Sequence, residues 1–113
     1  MEIIIETLKL DELKQMAVAT FVNLVKAVVD VDREIIAVDA ELHSDLEALL
    51  LKDGSKQRNL WGINFYPEIK GDDFIEFDSM INMRPSQENR SRGVENEEMR
   101  KKIMAIATKR IKR

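Results

Sequence analysis

Two runs in the middle of the chain decide the fold: Lys26-Ala27-Val28-Val29-Asp30-Val31 and Glu34-Ile35-Ile36-Ala37-Val38-Asp39-Ala40-Glu41-Leu42. Both are rich in β-branched residues, which are stiff at χ1 and suit a pleated surface. Only Asp32-Arg33 separates them, so the pair reads as a hairpin, although the break lacks the Gly that a tight primed turn prefers. Upstream, the period changes. Leu13, Met16, Ala17, Phe21 and Leu24 fall on one stripe of an amphipathic helix expected from Asp11 to about Val25, with Asp11 and Glu12 placed well for its first turn. Before that helix, Ile3, Ile4 and Ile5 mark a short strand over 2–6.

Downstream, Ser44-Asp45-Leu46-Glu47 has the spacing of a capping box, which predicts a helix starting at Asp45. Asp53-Gly54 should end it, since Gly adopts the left-handed conformation at a helix C-terminus. Leu60 to Tyr66 alternates Trp61, Ile63 and Phe65 with Gly62, Asn64 and Tyr66. The run from Phe74 to Arg84 places Ile75, Phe77, Ile81 and Met83 opposite Glu76, Asp78, Asn82 and Arg84. Both read as strands of one antiparallel pair. Pro85 closes the second, residues 86–93 form a polar loop, and a last helix is expected from about Asn96 to Arg110. The resulting order is β-α-β-β-α-β-β-α. It predicts a single α+β domain over residues 1–113, with a mostly antiparallel sheet and its helices packed on one face. An αββ unit occurs twice, at roughly 11–42 and 45–84, as an echo of topology without similarity of sequence.

With 44% hydrophobic residues, the chain can repay the entropy of folding, which excludes a disordered segment. It has no Cys and only His43, so neither a Cys/His zinc site nor a thiol nucleophile can be built within one chain. No metal or other cofactor is expected. No apolar run approaches the roughly 20 residues that span a bilayer. Met1–Glu6 has neither the basic start nor the apolar stretch of a secretory signal, so no membrane association and a cytoplasmic location are expected. The net charge of −3 hides an asymmetry: residues 1–83 hold 8 basic and 17 acidic side chains, residues 84–113 hold 10 basic and 4 acidic. A basic C-terminal segment inside an acidic protein predicts contact with the acidic body, or with that of a second copy, and argues against nucleic acid as a partner.

Several strings are distinctive: Glu41-Leu42-His43-Ser44-Asp45-Leu46-Glu47, Leu60-Trp61-Gly62-Ile63-Asn64-Phe65-Tyr66-Pro67, and Ser79-Met80-Ile81-Asn82-Met83-Arg84-Pro85 followed by Asn89-Arg90-Ser91. They resemble a family of uncharacterised prokaryotic proteins, a domain of unknown function, over most of the chain from Val25 to Ile106. The resemblance carries no activity with it.

Three groups of residues are candidates for chemistry. Strand alternation would place Asp39, Glu41 and His43 on one face, with Asn64, Tyr66, Glu76, Asp78, Asn82 and Arg84 collecting on the same side of the sheet. That side is either a solvated surface or a ligand-binding one. His43, with Glu41 and Asp45 two residues to each side, has the makings of a general base, or of a histidine with only a structural hydrogen bond. Arg84, Asn89, Arg90, Ser91 and Arg92 lie in or beside a loop that could hold an anion, or simply pair with the acidic sheet face. Two functional classes follow. One is a small protein that acts by binding a small anionic ligand or by self-association, with a homodimer as one form. The other is a small hydrolase-like enzyme using His43 with Glu41 or Asp45 on an anionic substrate.

Overall fold

A computed structural model describes residues 1–113. Strand β1 is Glu2–Ile4, β2 Leu8–Lys9, β3 Val25–Asp30, β4 Ile35–Val38, β5 Leu60–Phe65, β6 Ile75–Glu76 and β7 Ile111–Lys112. Helix α1 is Leu10–Ala19, α2 His43–Lys52 and α3 Glu97–Arg110. The sheet has the order β1-β4-β3-β5-β6 and is antiparallel throughout, while β2 and β7 form a separate parallel pair. The α+β class and the antiparallel sheet therefore agree with the sequence.

The expectation that the helices share one face is corrected. Val25, Ala27, Val29, Ile36, Val38, Trp61, Ile63 and Phe65 point to one side, where they pack with Leu13 and Ala17 of α1 and Ile103, Ile106 and Ala107 of α3. Val28, Ile35, Ala37 and Leu60 point to the other, where Leu46 and Leu50 of α2 cover them. The cause is visible in the central hairpin: its alternate residues are apolar on both parities, and strands buried on both faces need helices on both. The polar parity of β5 is accordingly not a solvated surface, and Asn64 is buried.

The hairpin turns without Gly. The Asp30 carboxylate accepts from the backbone N–H groups of Asp32 (2.9 Å) and Arg33 (3.0 Å), and Glu34 takes the left-handed position at φ 57°. Lys109 meets the Glu34 carboxylate at 3.2 Å and Arg110 Nε donates to its carbonyl at 2.8 Å, so the basic end of α3 holds the strained turn. Part of the basic segment thus rests on the acidic body, as its charge suggests.

Helix α1 ends at Ala19, six residues short of the expected Val25, because Val25 is already paired with Phe65 in the sheet. Helix α2 begins at His43 rather than Asp45, and no Ser44–Glu47 capping box forms. The expected strand over 74–84 is only Ile75–Glu76. Beyond it the chain leaves the sheet, folds through a 3₁₀ turn at Met80–Asn82, and lies back across β5.

Candidate functional site

Two clusters of polar side chains stand on neighbouring residues of β5. The first is built on Gly62. Asn82 is fully buried; its Oδ1 accepts from Gly62 N–H (2.8 Å), and its Nδ2 donates to the carbonyls of Gly62 (2.9 Å) and Arg92 (2.9 Å). Its amide acts as a missing strand neighbour, satisfying both backbone groups of one residue. The contact requires glycine: a Cβ at residue 62 would lie 2.5 Å from Ser79 Cβ. Asn89 extends the knot. Its Nδ2 donates to the carbonyls of Asn82 (2.7 Å) and Gly93 (2.8 Å), and its Oδ1 accepts from Glu95 N–H (2.9 Å). Arg84 stacks on Trp61, 4.7 Å from the ring centroid, and donates to the carbonyls of Gln57, Leu60 and Ile81. Burial pushes its guanidinium below the ordinary arginine range, with the Glu47 carboxylate opposing. Arg90 is exposed, and only its backbone N–H is engaged, by Glu95 Oε2 at 2.6 Å. That bond and its counterpart from Ser91 N–H hold the exposed Glu95 carboxyl below its usual range. Of the residues considered for anion binding, Asn82, Arg84 and Asn89 therefore have their polar atoms turned onto the chain's own backbone.

Tyr66 and Asn64 meet on Glu76. Asn64 Nδ2 reaches Glu76 Oε1 at 2.9 Å and Tyr66 OH reaches the same oxygen at 3.1 Å. Burial, and then the Glu76 carboxylate, raise the Tyr66 phenol above its usual range.

The second cluster is built on Ile63, one residue further along β5. His43, the first residue of α2 and only 8% exposed, places Nε2 2.8 Å from the Ile63 carbonyl. A carbonyl only accepts, so Nε2 carries the proton and Nδ1 presents its lone pair. Of the two ring nitrogens only Nε2 makes a close hydrogen bond within the chain, and the Asn64 side chain lies near enough to the ring to act on it. Burial is the main cause that pushes the imidazole below 6.5; Lys26 acts in the same direction, while the Ile63 carbonyl, Asp78 and Asn64 oppose it. His43 is thus neutral near pH 7. The expected partners are not gathered around it: Glu41 and Asp45 are exposed and neither hydrogen-bonds the ring. What the fold brings there instead are two cations.

His43 lines a cavity of about 150 Å³ together with Lys26, Ser44, Ser79 and Arg92, at the N-terminal end of α2. Arg92 is held by its Nε against Asp78 at 2.8 Å, and Lys26 stands over Phe21 at 5.2 Å with no carboxylate partner. In the sequence Arg92 is a candidate for anion binding in its own loop and Ser44 a capping residue. Their meeting with Lys26, Ser79 and His43 is not legible there, because the five come from four separate segments that only the packing unites. Larger concavities of about 500 and 470 Å³ open beside α3, but every titratable side chain that lines them is exposed. No cluster of three or more carboxylate or histidine ligands suited to a metal ion is present.

Fold and site together define a class: a small α+β protein with an antiparallel sheet covered on both faces, and a buried histidine at the rim of a cationic pocket. The chain belongs to the family described as protein of unknown function (DUF5674), which it matches over residues 2–110. No curated protein and no solved structure matches it. No helix is long and apolar enough to cross a membrane.

Proposed function

We propose that this is a binding protein for a small anionic ligand, seated in the pocket formed by Lys26, His43, Ser44 and Arg92. One observation carries the reading. A nearly buried histidine commits Nε2 to the backbone and keeps Nδ1 outside the chain's own close hydrogen bonds, beside a cavity that Lys26 and Arg92 line. The first N–H groups of a ten-residue helix lie at the same cavity, and their partial positive charge adds to that of Lys26 and Arg92. Ser44 is exposed beside them and supplies a hydroxyl. Asp78 pairs with Arg92 through Nε at 2.8 Å and is near enough to His43 to act on the ring, so it offsets part of the positive charge.

The test is thermal stability in sodium phosphate against sodium chloride at equal ionic strength. A ligand that binds only the folded state stabilises it by RT ln(1 + [L]/Kd), so phosphate at about ten times its Kd adds roughly 1.4 kcal/mol. The midpoint should rise in phosphate for the parent, and this rise should disappear in the Lys26→Ala/Arg92→Ala double variant. Equal midpoints in the two salts for the parent at 50 mM would remove the proposal.

A further inference from the structure

The rim of the His43 pocket is apolar, which is unusual beside two cations. Leu42 is 56% exposed and Met80 is 65% exposed, and both line the same cavity. Leu42 precedes α2 and Met80 opens the 3₁₀ turn that lies across β5, so the two come from different elements that line the opening. Large apolar side chains left in water on both elements favour a ligand that covers them, since each methylene removed from water contributes about 0.8 kcal/mol. An inorganic ion, or a small organic ion such as acetate, leaves them uncovered.

The pocket floor selects the anion. With Nε2–H spent on the Ile63 carbonyl, His43 offers a lone pair at Nδ1, and burial holds the ring neutral. A carboxylate at neutral pH brings only acceptor oxygens, which a lone pair repels. A phosphate monoester, with its second pKa near 6, brings oxygens for Lys26, Arg92 and the helix N–H groups. By taking up one proton from solvent to bind as its monoanion, the minor form at pH 7, it also brings a P–OH that donates to Nδ1; a carboxylate, with its lower pKa, takes up that proton far less readily. The geometry points to a soluble phosphomonoester whose organic part is apolar, with its phosphate on Lys26, His43 and Arg92 and its carbon skeleton between Leu42 and Met80. This rests on the anion-binding reading above and adds the ligand class to it.

Calorimetric titration of the full chain with inorganic phosphate, methyl, butyl and hexyl phosphate, and hexanoate, at pH 7, tests it. Affinity is expected to rise about fourfold for each methylene that the rim covers, so that butyl phosphate binds at least tenfold more tightly than inorganic phosphate. Leu42→Ser/Met80→Ser changes only exposed side chains, and should bring butyl phosphate back to the affinity of inorganic phosphate. Hexanoate should bind at least tenfold more weakly than hexyl phosphate. Two results would overturn the inference while leaving the anion site standing: alkyl phosphates binding no more tightly than phosphate, or hexanoate matching hexyl phosphate. Failure of phosphate and every alkyl phosphate alike overturns the anion site and the inference together. Co-sedimentation with phosphatidylcholine vesicles carrying phosphatidic acid, with no binding of hexyl phosphate, would overturn the soluble assignment by placing the phosphomonoester in a bilayer.

Discussion

Gly62 and Ile63 are neighbours on β5, and each receives a polar side chain from a distant part of the chain: Asn82 on Gly62, His43 on Ile63. The two differ in what is left over. Asn82 commits its carbonyl oxygen and both amide hydrogens to backbone groups, and Asn89 and Arg84 behave in the same way around it. His43 commits one nitrogen of two, and its neighbours Lys26 and Ser44 commit nothing to the fold beyond the cation–π contact of Lys26 with Phe21. Asn82 holds the fold with every polar atom of its side chain, whereas His43 holds it with one ring nitrogen only. Polar residues equally noticeable in the sequence thus separate into scaffold and site.

The sharpest way to break this contrast is Asn82→Ala. It strands the N–H of Gly62 and the carbonyls of Gly62 and Arg92 in a buried place, at a cost of about 3 kcal/mol or more. For a chain of this size the melting midpoint should fall by at least about 12 °C, a loss that phosphate should not rescue selectively. Gly62→Ala attacks the same contact from the other side, by driving a Cβ into Ser79. Denaturant titration should show a loss of about 2 kcal/mol. Arg84→Lys keeps the charge but not the fork that serves three carbonyls and stacks on Trp61, and about 2 kcal/mol should again be lost. If any of these three variants retains full stability, the knot is not the scaffold described above.

His43→Gln separates the two roles of the histidine, because Gln retains a donor for Ile63. The folded pKa lies below the unfolded value of 6.5, so the unfolded chain binds more protons between the two. The contribution is fully present above pH 6.5 and is lost as pH falls through the folded pKa. Between pH 7.5 and 5, without ligand, the parent should therefore lose more stability than His43→Gln. Parallel pH profiles would show that His43 is not held neutral by burial. Lys26→Ala should have the smallest effect on stability, less than about 1 kcal/mol, while weakening phosphate binding most clearly. A stability loss as large as that of Asn82→Ala would move Lys26 to the scaffold side of the comparison.

The sequence made the elements legible wherever local period and burial agree. The strand from Leu60 and the helix from Glu97 lie where alternation or a 3.6-residue stripe places them, and so does the central hairpin as far as Val38. There β4 ends: Asp39 turns left-handed at φ 74° and His43 enters a helix, so the shared strand face expected for Asp39, Glu41 and His43 does not form. The sequence misled where tertiary contacts override the local pattern. Phe74 to Arg84 alternates well, yet Asn82 is consumed by Gly62, so the chain turns at Met80 instead of continuing as a strand. The expected helix stops at Ala19 for a related reason: the run beginning at Val25 gains more from the middle of the sheet than from further helical turns. His43 stood out as the lone histidine, but its companions could not. Glu41 and Asp45 are near it in sequence, whereas Lys26 and Arg92 reach it only through strand register and the return of the 79–93 segment across β5.

The parallel pairing of β2 with β7 sets a limit on when the molecule can be completed. Leu8 lies beside Ile111, two positions more than a hundred residues apart, and Ile111 packs in the same core as α1 and α3. A chain emerging from the ribosome can form the Val25–Val38 hairpin and lay α2 on it early. The opposite side must wait, because α3 and β7 have not yet been made. Until then Leu13, Trp61, Ile63 and Phe65 face water, and this is the interval in which a nascent chain is most open to aggregation and to chaperones. The α1/α3 side of the sheet thus receives its full cover only once residue 111 has been made.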